Sequence, residues 1–262
     1  MPQALVSMRI ETGIAVLELC NPPANTYSYE MMRELDAAIL QARMEETVHV
    51  LVLRGAGDRF FCAGADIRML QSVSPRFKYF FCLHANETLN RLEQTPKLVI
   101  AALNGHAVGG GLEVAMAADL RIARRGCGTI GLPEVGLGVL PGTGGTQRLA
   151  RLLGKAKALE LLATGRTFSF EEAGAMGLLT HVFEPESWWE KVMDYARQFC
   201  PPNKASLAVG LIKRSVVTGH EMSFSDALAL ERELQQRLFE SEDAQEGLRA
   251  YTEKRPPRFK GV

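Results

Sequence analysis

Leu98-Val99-Ile100-Ala101-Ala102-Leu103-Asn104-Gly105-His106-Ala107-Val108-Gly109-Gly110-Gly111-Leu112-Glu113 is the stretch from which the fold can be read. Its first six residues are apolar without interruption, the pattern of a strand covered on both faces. Asn104-Gly105 ends the run, three glycines follow, and residues 112–120 read as a helix. A buried strand, a glycine turn and a helix in that order point to an α/β domain. Glu113 stands among Val114, Ala115, Met116, Ala117 and Ala118, where a carboxylate is costly to bury unless something requires it.

The same arrangement lies upstream. Residues 48–53 form another near-continuous apolar run, which leads into the loop 54–64. Before it, residues 6–10 and 14–19 read as a hairpin around Glu11-Thr12-Gly13, and Asn21-Pro22-Pro23 stops its second strand. Ser28 is placed to cap a helix whose apolar face is Met32, Leu35, Ile39 and Ala42. Downstream, Ser169 and Glu172 form a capping box, Gly177 ends that helix, and a strand is expected over 178–183. Beyond Pro201-Pro202 no strand pattern is visible. Leu230, Leu234 and Leu238 share a helical face there, and a further helix is expected over 242–251. The expected organisation is a sheet-rich body, residues 1–200, followed by a helical C-terminal region, residues 201–262.

The 262 residues suffice for one large α/β domain, or a domain with an appendage. Charged residues make up 23% and hydrophobic ones 47%, and no apolar run reaches transmembrane length, which argues against a membrane protein. Lys plus Arg and Asp plus Glu both total 30, so no net charge draws the chain toward nucleic acid, although Arg121, Arg124 and Arg125 form a local basic cluster. Five scattered cysteines without a C-x-x-C pair suit reduced thiols. No export signal is read at the N-terminus, so the expected location is the cytoplasm; a processed organellar protein would present the same start.

A second acid accompanies Glu113. Glu134 closes Ile130-Gly131-Leu132-Pro133-Glu134, 134 − 113 = 21 positions later. Two acids, each set against a glycine-rich turn, suggest acid/base chemistry. In the loop Arg59-Phe60-Phe61-Cys62-Ala63-Gly64-Ala65-Asp66-Ile67-Arg68, small residues let a ligand approach backbone N–H groups, and 109–111 do the same at a helix start. One N–H from each loop would make an oxyanion hole, where losing a donor typically costs about 3 kcal/mol of barrier.

Other signals are discounted. None of His49, His84, His106, His181 and His220 has metal-ligand spacing, so no metal is expected, and His106 reads as a loop residue. Cys62 has no base partner in view and reads as a small packed side chain. The glycine runs lack G-x-G-x-x-G spacing and a Walker lysine. Trp188 and Trp189 are expected to dock a helix.

Four segments together carry a resemblance: Ala63-Gly64-Ala65-Asp66, the run 104–113, Leu132-Pro133-Glu134, and Pro141-Gly142-Thr143-Gly144-Gly145-Thr146-Gln147-Arg148. In this order they resemble the crotonase family, its enoyl-CoA hydratases in particular, and similarity runs to Arg255-Pro256-Pro257-Arg258-Phe259-Lys260. The resemblance implies the ClpP/crotonase-like spiral of β-β-α turns, with a C-terminal region that mediates trimerisation, commonly as a dimer of trimers, and covers the active site. It implies syn addition of water to a 2-enoyl-CoA: Ala65 and Gly110 donate the oxyanion amides, Glu113 and Glu134 flank the water, and Gly142 helps position it. Ala24, Ala63, Asp66, Ile67 and Arg68 would contact coenzyme A, and Lys260 would reach a neighbouring subunit's ligand. No cofactor is implied, since coenzyme A belongs to the substrate. Isomerisation, acyl-CoA hydrolysis and RNA binding also occur on this fold. Substrate choice is expected to depend on loop residues around 70–90, and Leu132 and residues 124–128 depart from short-chain hydratases.

Overall fold

The computed structural model describes residues 4–262. In chain order the elements are β1 (Val6–Glu11), β2 (Ile14–Leu19), α1 (Tyr29–Met44), β3 (Val50–Gly55), β4 (Phe60–Cys62), α2 (Ile67–Ser72), α3 (Pro75–Glu93), β5 (Leu98–Leu103), β6 (His106–Val108) and α4 (Gly110–Met116). They continue with β7 (Leu120–Arg124), β8 (Thr129–Gly131), a 3-10 turn (Glu134–Leu137), α5 (Gly145–Leu153), α6 (Lys155–Thr164), β9 (Phe168–Ser169), α7 (Phe170–Ala175) and β10 (His181–Phe183). Four helices close the chain: α8 (Trp188–Arg197), α9 (Ser206–Gly219), α10 (Phe224–Phe239) and α11 (Glu242–Glu253).

From β3 to β8 successive strands alternate between two sheets. The larger has the order β1-β2-β3-β5-β7-β10 and the smaller β4-β6-β8-β9. Only the first pair of the larger sheet is antiparallel; from β2 onward every neighbour is parallel. Each turn thus places one strand in each sheet and returns through helix, as in β3-β4 with α2 and α3, then β5-β6 with α4, then β7-β8 with α5. This is the expected spiral of β-β-α turns.

The apolar runs are continuous because both faces of the larger sheet are covered. Ala15, Leu17, Leu51, Leu53, Val99, Ala101 and Leu103 pack on one side with α1, α3 and α4. The alternate residues Ile14, Val16, Val50, Val52, Ile100, Ala102 and Ile122 pack under Trp188, Val192, Met193 and Ala196 of α8. Trp188 therefore docks a helix as anticipated, while Trp189 receives Arg54 over its ring at 4.7 Å.

Ser28 caps α1 by accepting from Met31 N. The capping box at Ser169 forms by half: its hydroxyl accepts from Glu172 N at 3.1 Å, but the Glu172 carboxylate pairs with Arg166 at 2.7 Å. The helix expected over 112–120 begins at Gly110, ends at Met116, and Leu120 opens β7. Asp119 stops it, accepting from Val99 N at 2.7 Å and donating its own N–H to Val99 O at 3.0 Å, which fastens the chain to β5. The strand expected over 178–183 is confined to His181–Phe183. His106 lies in β6 rather than a loop, its Nδ1 3.0 Å from Thr129 Oγ1. Residues around 70–90, expected as loop, are mostly the helices α2 and α3.

Candidate active site

The site is assembled where the first residues of α4 meet three loops. Gly109 precedes α4 with φ +57, a backbone that favours glycine. The segment 62–64 comes against this start at two places. Gly64, at φ +87, sits so that a Cβ there would be 3.0 Å from Gly110 N, and Gly111 leaves the space taken by the Cys62 carbonyl. The glycines thus serve close backbone approach. Among the described residues, neither the Ala65 nor the Gly110 N–H donates to a protein acceptor, although both neighbouring stretches are hydrogen-bonded.

One helical turn into α4, Glu113 is 2% exposed. Its Oε1 accepts from Thr143 N at 2.8 Å and from Gly145 N at 2.6 Å, and Oε2 accepts from the Thr143 hydroxyl. Burial pushes its carboxyl above the usual range, and the donors of Thr143 and Gly145, with Arg148 nearby, pull it back. Arg148 braces the loop that supplies these donors: it donates to Thr143 O at 3.3 Å and to Asn90 Oδ1 at 2.8 Å, and it pairs with Glu93 at 3.0 Å. Asn86 of α3 holds the other end, donating to Gly142 O at 3.1 Å.

Glu134 enters from the 3-10 turn, its Oε1 3.0 Å from where a Cβ on Gly109 would stand. Its Oε2 is buried without a hydrogen-bond partner among the described residues. Burial pushes this carboxyl up to about 7, and the charge of Glu113 adds to the rise. Glu113 accepts from three donors while Glu134 Oε2 accepts from none among the described residues, an environment pair that separates a proton acceptor from a proton donor.

The expected residues are thereby located. Glu113, Glu134, Gly110, Ala65 and Gly142 gather at the start of α4 and the loops around it. Ala24 is joined to Ala63 by an Ala63 N to Ala24 O hydrogen bond of 3.0 Å. Asp66 caps α2, accepting from Arg68 N at 2.8 Å, and leaves Ile67 and Arg68 exposed. Lys260 lies on the C-terminal tail, donating its backbone N–H to Asp243 at 2.7 Å and pairing with Glu242 at 3.2 Å. None of these Lys260 partners belongs to the Glu113 cluster.

No catalytic role is read in the sequence for Tyr27, Thr143, Gly145 or Arg148. The last three lie in a segment singled out for resemblance, where a hydroxyl between two glycines was the available signal; Tyr27 offered none. Cys62 is a packed side chain, fully buried, its thiol pushed up to about 12 by burial. The basic cluster is dismantled. Arg121 is 6% exposed and donates to the Leu178 and Ala118 carbonyls at 2.7 Å, while Arg124 faces Asp58 and Arg125 faces Glu184.

The profile of the enoyl-CoA hydratase/isomerase family matches residues 9–262. A probable enoyl-CoA hydratase of Bacillus subtilis is 39% identical over 258 residues, covering 98% of both chains. A crotonyl-CoA hydratase of Syntrophomonas wolfei is 36% identical, with 95% of each chain covered. A crystal structure of an enoyl-CoA hydratase from Geobacillus kaustophilus superimposes with a TM-score of 0.97 at 45% identity, covering 100% of this chain and 98% of that one. The chain belongs to the enoyl-CoA hydratase/isomerase, or crotonase, family.

Proposed function

We propose that the protein is an enoyl-CoA hydratase, a hydro-lyase that adds water across the C2–C3 double bond of a 2-enoyl-CoA to give a 3-hydroxyacyl-CoA. The observation that carries this reading is the contrast between the two acids: Glu113 with three donors on its oxygens, Glu134 with a buried, unpartnered oxygen. Hydration needs a base for water and an acid for C2 at once, and two differently tuned carboxyls fill those roles.

In this mechanism the thioester oxygen lies between the amides of Ala65 and Gly110. Glu113, ionised, accepts a proton from the water as its oxygen bonds to C3. The C2–C3 π electrons move toward the thioester, whose oxygen takes on enolate charge against the two amides. Glu134 then delivers its proton to C2, and dehydration runs the same steps backward. Gly142, which precedes Thr143 and is pinned by Asn86, helps position the water through its backbone. The paired segments at Ala24 and Ala63, with Asp66, Ile67 and Arg68, hold coenzyme A.

We place residues 1–200 as the catalytic body and 201–262 as the part that associates with other copies and covers the site. A homotrimer or a dimer of trimers is the assembly proposed. Its support is a groove of about 1030 Å³ lined in part by Leu152 and by Val209, Ile212 and Val216 of α9, where Ile212 is 60% and Val216 65% exposed. Lys260 would then contact coenzyme A in a neighbouring copy. Fatty-acid breakdown in the cytoplasm is the setting proposed; among the described residues no helix is long and apolar enough to cross a membrane.

An acyl-CoA panel with chromatography of products tests the activity. Hydroxyacyl-CoA is the expected product. A shifted double bond would mark an isomerase, and free coenzyme A a hydrolase.

A further inference from the structure

We infer that Tyr27 and Thr143 are positioning residues for the reaction: a chain of two hydroxyls, Tyr27 Oη to Thr143 Oγ1 to Glu113 Oε2, fixes the Glu113 side chain and holds it as the proton-accepting carboxylate. The inference rests on the reading of Glu113 as the base.

The chain is laid out by geometry. Tyr27 Oη lies 3.3 Å from Thr143 Oγ1, and the Thr143 hydroxyl contacts Glu113 Oε2. An ionised carboxylate only accepts, so Thr143 donates its one proton to Glu113 and its lone pairs accept from Tyr27. All members are buried: Tyr27 is 4%, Thr143 2% and Glu113 2% exposed. Burial also keeps the Tyr27 phenol protonated, well above its ordinary range, so it remains a donor.

Tyr27 is fixed on several sides. Its N–H donates to Gly64 O at 2.9 Å, and its carbonyl accepts from Asp66 N at 2.9 Å, on either side of Ala65. Its ring packs 5.9 Å from Phe81, and its hydroxyl fills the space that a Cβ on residue 110 would need. One residue therefore holds the Ala65 loop through its backbone and touches Gly110 and the donor to Glu113 through its hydroxyl.

The other groups around Glu113 do not duplicate this role. Arg148 is engaged by Glu93 and Asn90, Cys62 and Cys82 are kept as thiols by burial, and Glu134 repels a second negative charge. The backbone donors of Thr143 and Gly145 both reach Oε1. The Thr143 hydroxyl is the donor on Oε2, the oxygen left with capacity to receive a proton from water.

The test is the pH dependence of kcat and kcat/KM with crotonyl-CoA for wild type, Thr143→Ser, Thr143→Val, Tyr27→Phe and the double variant Tyr27→Phe/Thr143→Val. Thr143→Val should raise the acid limb, where Glu113 takes up a proton, by about one pH unit, because a hydrogen bond to a charged group is lost. On that limb its kcat should fall about tenfold while KM stays within about twofold. Thr143→Ser should restore the wild-type profile, Tyr27→Phe should shift it less, and the double variant should match Thr143→Val. Coincident limbs for wild type and Thr143→Val, or additive shifts in the double variant, would overturn the chain. An inactive Glu113→Gln beside an unmoved Thr143→Val limb would overturn the chain alone, whereas an active Glu113→Gln would overturn the base assignment as well.

Discussion

The Glu134 carboxylate rests on Gly109, its Oε1 3.0 Å from where a Cβ on that glycine would stand. Gly109 is also the residue before α4, four positions ahead of Glu113, with φ +57 and ψ −135. It therefore fixes both the direction in which Glu113 leaves the helix start and the space Glu134 occupies. Gly109→Ala should strain the backbone by about 1–3 kcal/mol, seen as a lower Tm. The displaced Glu134 should cost about a hundredfold in kcat, by steady-state assay on the folded variant.

Glu134 must hold a proton to act as the acid, so kcat/KM should decline as pH rises through about 7, where burial and the charge of Glu113 have pushed its carboxyl. Stability follows the same group. Its folded value lies above the ordinary 4.5, so the folded state binds the proton more tightly and stability falls as pH rises from 4.5 toward about 7. Glu134→Gln removes that dependence. Discounted for the partial exposure of the residue, it should gain about 1 kcal/mol over wild type above the window and nothing below it. Urea denaturation on both sides of the window checks the sign.

The C-terminal helices are tied to the spiral by a buried ion pair. Lys213 of α9, 6% exposed, lies 2.8 Å from Asp119 and donates to Lys97 O at 3.0 Å. Lys213→Met leaves the Asp119 charge without its cation and should destabilise by about 3 kcal/mol in urea unfolding. Adding Asp119→Asn should recover part of the loss, since no buried charge remains.

Much of this was legible in sequence because long buried strands and glycine turns have local causes. The runs ending at Leu53 and Leu103 are apolar on both faces because helices cover both, and Ser28 caps α1 through contacts three residues away. The end of α4 was hidden. Ala117 and Ala118 favour helix, and what stops it is Asp119 reaching Val99, 20 residues distant. The smaller sheet was equally hidden, since β4, β6 and β8 have three residues each and β9 two, too short for a strand's alternation to register. In the site, Glu113 stood out as a carboxylate in an apolar run. Tyr27 did not, because its value lies in contacts with Gly110, Gly64 and Thr143 that only folding creates.

The most direct test of the two-acid account is turnover of crotonyl-CoA, followed by loss of the 2-enoyl absorbance and by chromatography of the hydroxyacyl product, in Glu113→Gln and Glu134→Gln. Each variant should fold, bind the thioester and lose activity by about 10²–10⁴-fold, the usual contribution of a positioned acid or base. Full activity in either variant would contradict it.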